Sequence, residues 1–274
     1  MFTLLVPLLL LAAAPARALE VELVTGSVAE AALGADRVSA REQRLAARWQ
    51  GAGLHWRYDY AYRRFEYQRA DGRDRDNLHR MSLEARWQGE GVSQPALTLR
   101  PVIATSSNVM KEFASRGSSD DWMLHAAATI TAYAGGQQWL LGLAYDDAFG
   151  GLRAYPRAAL LLAGTGWRAE LGWPVARVDV RAAPQVELGA LVAPAGSRWH
   201  VVSDARGGAE FDYVLRARRA GVHARWQSAG GWTLQAQAGI EFDRRLQFES
   251  GAGARIDAGA ADAPFAGVTL AYRW

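Results

Sequence analysis

Residues 232–243 read Trp-Thr-Leu-Gln-Ala-Gln-Ala-Gly-Ile-Glu-Phe-Asp. Trp232, Leu234, Ala236, Ala238, Ile240 and Phe242 make one series, and Thr233, Gln235, Gln237, Gly239, Glu241 and Asp243 make the other. Successive side chains of a strand point to opposite faces, so this alternation builds one apolar and one polar face. It holds for about ten residues, the length a tilted strand needs to cross a bilayer, whereas strands of soluble domains are nearer five or six. The run opens on tryptophan, a residue that settles at membrane–water boundaries.

The same split recurs along the chain. Leu54, Trp56, Tyr58, Tyr60 and Tyr62 oppose His55, Arg57 and Asp59; Met81, Leu83, Ala85 and Trp87 oppose Arg80, Ser82, Glu84 and Arg86. The tetrad Ala-Arg-Trp-Gln appears at 47–50, 85–88 and 224–227, each time followed by a glycine-containing turn. Longer polar connections, at 70–77, 106–121, 146–155 and 250–263, fall on the opposite side, the second with a helical turn around Val109 to Ala114. Short turns on one side and long loops on the other predict an all-β fold, a transmembrane antiparallel β-barrel of about 12–14 strands. Fourteen candidate strands fit between Glu20 and Trp274. Twelve stays open because Pro174, Pro184 and Pro194 interrupt residues 166–219, and the alternation slips at Arg218–Arg219 as at a bulge.

Phe2 to Ala14 is almost wholly apolar and is followed by Ala16-Arg17-Ala18, which predicts a cleaved signal peptide at 1–18 and a barrel at 19–274. No later run approaches the ~18 apolar residues of a membrane helix. With 31 basic and 28 acidic residues and a net charge of +3, the chain lacks the clustered basic face that nucleic acid requires. Lys111 is its only lysine, so the positive charge is almost entirely arginine. The absence of cysteine excludes disulfides, thiolate metal sites and a cysteine nucleophile.

The chain end, Pro264-Phe265-Ala266-Gly267-Val268-Thr269-Leu270-Ala271-Tyr272-Arg273-Trp274, resembles the terminal strand of Gram-negative outer-membrane β-barrel proteins. In that resemblance Val268, Leu270, Tyr272 and Trp274 are the signal read by the barrel-assembly machinery, with Trp in place of the commoner Phe. The stretch Trp167 to Leu191 and the segment Ala238 to Arg245 are similar to an uncharacterised family of single-chain barrels, a domain of unknown function. The resemblance implies export through the periplasm to the cell outer membrane, with membrane lipid and lipopolysaccharide as surroundings. It supplies no catalytic residues.

The polar face is the informative set. If the period holds, Arg48, Arg57, Asp59, Arg80, Glu84, Arg86, Arg216, Arg225, Gln235, Gln237, Glu241 and Asp243 point inward, because such groups are costly against lipid. Two readings stay open: a pore lining for a small solute, and a closed barrel filled by arginine–carboxylate pairs. The five histidines, His55, His79, His125, His200 and His223, sit in no recognisable nucleophile motif, and the pairs Asp120–Asp121 and Asp146–Asp147 read as solvated loop charge. No cofactor or metal spacing is present. The expected function is a porin-like channel with an arginine-rich lumen. A membrane-embedded hydrolase acting on lipid or surface polymer, and a structural or adhesion barrel, are the alternatives.

Overall fold

A computed structural model describes residues 17–69, 72–203, 208–250 and 255–274. Its strands are β1 (Arg17–Leu33), β2 (Asp36–Gly51), β3 (Leu54–Arg69), β4 (Gly72–Gln88), β5 (Gln94–Ser106), β6 (Trp122–Ala134), β7 (Gln137–Asp146) and β8 (Arg153–Gly164), continued by β9 (Trp167–Trp173), β10 (Ala176–Ala183), β11 (Val186–Pro194), β12 (Ser197–Ser203), β13 (Ala209–Gln227), β14 (Trp232–Ser250), β15 (Arg255–Ala260) and β16 (Ala263–Arg273). Two short helices, α1 (Ser107–Lys111) and α2 (Phe113–Arg116), and a 3-10 turn at Ser119–Asp121 link β5 to β6.

Each strand pairs antiparallel with its successor, except that β11 pairs onward with β13 and β15 does not pair with β16; β16 pairs with β14 and β1, so among the described residues the sheet closes on itself. Segments β11 and β12 lie end to end on one flank of β13, and β15 and β16 lie end to end along β14. The sixteen segments therefore make a closed barrel of fourteen wall strands, the upper end of the expected range. Pro174 and Pro184 sit in turns and Pro194 ends β11, which is how three prolines fit without breaking a ladder. The expected signal at 1–18 falls largely outside the described residues; β1 begins at Arg17.

Turn chemistry sets one end. Ala52 and Gly53 both have positive φ (53° and 72°), as a two-residue hairpin turn between β2 and β3 requires. At the loop end two expected connections are instead strand. β3 and β4 run to Arg69 and from Gly72, and β15 occupies part of 250–263. The helical turn expected near Val109 is α1.

The outer surface carries exposed Leu23, Leu99, Leu124, Leu143, Val222 and Leu270. Tryptophans bound this belt at the turn end (Trp87, Trp167, Trp226, Trp232, Trp274), and Trp122, Tyr145 and Trp173 bound it at the loop end. Among the described residues no helix is long and apolar enough to cross a membrane; the strands carry the exposed apolar side chains.

Wall height is uneven. β1–β4 have 16–17 residues and β13 and β14 have 19, but β9 has 7 and β10 has 8. Above the low side, β12 turns inward until His200 pairs in parallel with Thr105 of β5. The tall strands thus close a narrower ring, and its interior is a packed apolar core that includes Val38, Phe65, Leu78, Val102, Tyr213 and Leu246. Phe65 meets Tyr213 and Trp199 at ring distances of 5.0 and 6.2 Å, and the Tyr67 and Tyr213 hydroxyls are 2.5 Å apart.

A bulge makes this core continuous. Arg216 pairs with Arg245 and Arg218 with Phe242, so two steps on β13 match three on β14. The extra residue is Asp243, at φ 52°. It resets the parity of β14, so that Glu241 points inward below it and Leu246 points inward above it. The slip legible at Arg218–Arg219 is therefore housed in the partner strand.

Candidate functional site in the barrel interior

Side chains from strands that are not neighbours can meet only inside a closed barrel, and such contacts identify the inner face. Arg100 of β5 reaches Asp59 of β3, and Arg63 of β3 reaches Glu241 of β14 at 3.9 Å. By this criterion and the strand registers, Arg48, Arg57, Asp59, Arg80, Glu84, Arg86, Arg225, Gln235, Gln237 and Glu241 share the inner face. Two expected members do not. Arg216 has the parity opposite to the inward Leu215 and Tyr213 and lies against Gly150, because the extra residue is in β14 and β13 keeps its period. Asp243 is that extra residue; it is exposed and faces Arg218 at 3.6 Å.

The inner polar groups form layers of ion pairs. Asp59 takes Arg44 and Arg57 at 2.6 Å, with Arg100 at 3.7 Å. Nearer the turns, Glu20 receives Arg48 at 2.5 Å and Arg273 at 2.8 Å, which ties β1 to both β2 and β16, and Arg48 also reaches Glu22 at 2.7 Å. Glu241, fully buried, is ringed by Arg219, Arg244 and Arg63. These partners were missed because they lie one strand or more away, and no alternation within one segment shows who faces whom.

Asp147 corrects the reading of its pair as solvated charge. It is 3% exposed, accepts two hydrogen bonds from Arg80 (2.6 and 2.8 Å) and one from the backbone N–H of Arg198 (2.9 Å), and lies 3.3 Å from His125 Nε2. One carboxylate so fastens the β7–β8 loop to β4, β6 and the inward-turned β12. Burial opposes its charge, but the Arg80 guanidinium outweighs that and holds the carboxyl below its ordinary range. Asp121 is also buried; it accepts from the Ser118 backbone N–H at 2.7 Å and closes the 3-10 turn.

A second cluster lies on the low side of the wall. Asp179 of β10, Gly189 of β11 and His223 of β13 stand side by side in register. A Cβ on Gly189 would fall 2.4 Å from the His223 ring and 2.6 Å from the Asp179 carboxylate, so the glycine is what lets those side chains meet across it, 3.1 Å apart. Asp179, Glu187 and His223 offer ligand atoms within 4.8 Å of one another. Arg168 and Arg177 already bind those carboxylates at 2.8–3.0 Å and supply the positive charge a metal would bring.

Exposure changes along the inner face. On β3 it falls from exposed His55 through half-buried Arg57 to buried Asp59, Arg63, Phe65 and Tyr67. On β13 it falls from half-buried Arg225 to Tyr213, which is 0% exposed. At the turn end a cavity of about 510 Å³ is lined in part by Glu20, Arg48, His55, Arg57, Glu84 and Arg86. The interior is thus a polar chamber at the turn end and a solid apolar core at the loop end. Of the arginines lining the cavity, Arg48, Arg57 and Arg273 are paired with Glu20 or Asp59, and among the described residues Arg86 makes no ion pair.

The strand ending in Trp274 closes the sheet. Val268, Leu270 and Trp274 are exposed on the outer face, Tyr272 packs against Trp232 (4.7 Å) and Trp274 (4.6 Å), and the Trp274 N–H donates to the Leu19 carbonyl at 3.0 Å.

No family model and no curated protein matches the chain. Solved structures to which it is similar include an outer-membrane channel from Pseudomonas putida F1 (8% identity, TM-score 0.47, covering 94% of this chain and 96% of that one). The translocator domain of the autotransporter NalP from Neisseria meningitidis (12%, 0.40, 94% and 89%) and the Pseudomonas putida toluene transporter TodX (11%, 0.35, 96% and 92%) are others. At such identities and scores nothing of those proteins' roles transfers to this chain.

Proposed function

We propose that this chain is an outer-membrane barrel whose arginine-rich chamber receives small anionic solutes from the turn side, and which acts as a channel held shut at its loop end. The observation that carries the reading is the inner face itself, which passes from half-buried arginines (Arg48, Arg57, Arg225) and exposed Arg86 to fully buried apolar side chains along the same strands. The apolar outer belt with aromatic edges supports a membrane setting. The even strand number, which returns both chain ends to the turn side, and the signal expected at 1–18 support delivery from the periplasm. Membrane lipid and lipopolysaccharide would then surround the belt, and the aromatic end at Trp274 would meet the barrel-assembly machinery.

Fixed charge in a lumen sets ion preference. In planar bilayers the wild-type barrel is expected to stay largely closed, and replacing 147–152 with a short Gly-Ser linker should raise an anion-preferring conductance. Adding Arg57→Glu, Arg86→Glu and Arg225→Glu to that variant should move the preference toward cations. A steady ohmic conductance from the wild type would overturn the closed state, and unchanged selectivity in the triple variant would overturn the arginine lining.

A further inference from the structure

We propose that Ser107, His79 and Tyr60 form an ester-cleaving relay on the outer surface of the barrel, at the loop-side edge of the apolar belt, with an acyl ester of a membrane lipid as substrate. Ser107 Oγ lies 2.6 Å from His79 Nε2, and the Tyr60 hydroxyl lies 2.7 Å from His79 Nδ1. No stretch of sequence announces this set: Tyr60 comes from β3, His79 from β4 and Ser107 from α1.

Parity places the relay outside. His79 shares its face with Met81, Leu83 and Trp87, and Tyr60 shares its face with Trp56 and Tyr62, which is the belt face of both strands. Tyr60 and Tyr62 lie beside the imidazole, with ring centroids 5.9 and 5.2 Å away. Aromatic rings of this kind settle at headgroup depth, the level at which the ester carbonyls of a lipid lie. An acyl chain running down past Met81 and Leu83 would therefore bring its ester to Ser107.

The relay is held from behind. Asn108 Nδ2 donates to the Val202 carbonyl at 2.5 Å, and Tyr62 donates to Asn77 Oδ1 at 2.6 Å, so the α1 end and the strand β4 end are each anchored. With its proton on Nδ1 donated to the Tyr60 oxygen, the imidazole offers the Nε2 lone pair to the Ser107 hydroxyl. This is the base–nucleophile arrangement of acyl transfer, with a tyrosine orienting the base. Lys111, the charged neighbour of His79, suits a phosphate-bearing headgroup.

In the step itself Ser107 Oγ forms a bond to the acyl carbon as its proton passes to His79 Nε2. The ester C–O bond then breaks, and His79 returns the proton to the departing alkoxide. Water, activated by the same nitrogen, cleaves the acyl-serine to fatty acid and free Ser107. Ser107 and His79 are catalytic residues and Tyr60 is a positioning residue.

The test uses the full-length barrel refolded in detergent, shown folded by its heat-modifiable mobility. A fluorophosphonate probe should label Ser107, read by peptide mass. 4-Nitrophenyl butyrate and dioleoyl phosphatidylglycerol vesicles report hydrolysis in micelles and from a bilayer. Ser107→Ala should abolish labelling and return hydrolysis to the buffer rate. His79→Asn should cost at least about 100-fold, the usual worth of a positioned base, while Ser115→Ala leaves both unchanged. Tyr60→Phe should shift the limb of the pH–rate profile that reports His79 without altering mobility. A folded wild type that neither labels nor hydrolyses either ester overturns the proposal, as does labelling or hydrolysis that persists in Ser107→Ala. A Tyr60→Phe profile identical to wild type removes the role given to Tyr60. None of these outcomes depends on whether the interior conducts.

Discussion

Replacing Asp147 with Asn keeps its size and shape and removes its charge. Arg80 is then left in the barrel interior without a counter-ion, since its guanidinium is spent on both Asp147 oxygens at 2.6 and 2.8 Å. Breaking a buried pair by removing one partner costs about 3–5 kcal/mol, because the surviving charge is uncompensated. The Arg198 backbone N–H keeps an acceptor only if the new amide turns its oxygen toward it. Each ~1.4 kcal/mol is a factor of ten, so the released state of the β7–β8 loop should rise by roughly two to four orders of magnitude. Urea unfolding of the refolded barrel followed by tryptophan fluorescence reads the stability, and single-barrel recording reads the opening. A double variant, Arg80→Gln with Asp147→Asn, should lose less than the sum of the two single changes, because neither charge is stranded. Acid gives an independent handle. The Asp147 carboxyl is held below its ordinary range, so its contribution is complete above that range and is lost only as pH falls through the lowered value. Unchanged unfolding and unchanged closure in Asp147→Asn would show that this carboxylate fastens nothing.

Gly189→Ala should destabilise by a few kcal/mol and part His223 from Asp179, since the new methyl would sit under 3 Å from both; an unperturbed His223 ring signal in NMR would contradict the crossing of these side chains. Phe65→Ala, at the centre of the loop-end core, should cost about 3–5 kcal/mol in urea unfolding, and a cost under 1 kcal/mol would mean that core is not close-packed. Deleting Trp274 should block assembly in cells while refolding in detergent survives, because the Trp274 N–H adds one bond to Leu19 in a sheet that β16 and β1 already close. Failure in both settings would make the residue chiefly structural, and normal outer-membrane levels would remove the assembly role. Unboiled barrel should migrate differently from boiled barrel on a detergent gel, since a closed sheet unfolds only by breaking many inter-strand bonds together.

What the sequence by itself determined is what a period of two and local turn chemistry can carry. Trp232 to Phe242 and Leu54 to Tyr62 announced strands, their faces and their aromatic edges, and the glycine turns with the opposing long loops announced an antiparallel barrel. Parity is a local property of each strand, which is why a face can be assigned from sequence at all. Parity fails where one residue is inserted, and the insertion belongs to a pair of strands: the slip seen near Arg218 is absorbed by Asp243 in β14, which puts both Arg216 and Asp243 on the other face. Only the tertiary structure decided that β12 turns inward, that nine strand segments enclose an apolar core, and that Asp147 is buried at their join. A loop carboxylate and a buried pin have the same local sequence, and the difference is an arginine 67 positions away. The meeting of His79 with Ser107 and Tyr60 is likewise a matter of register between β3, β4 and the chain beyond β5, which periodicity within one segment does not encode.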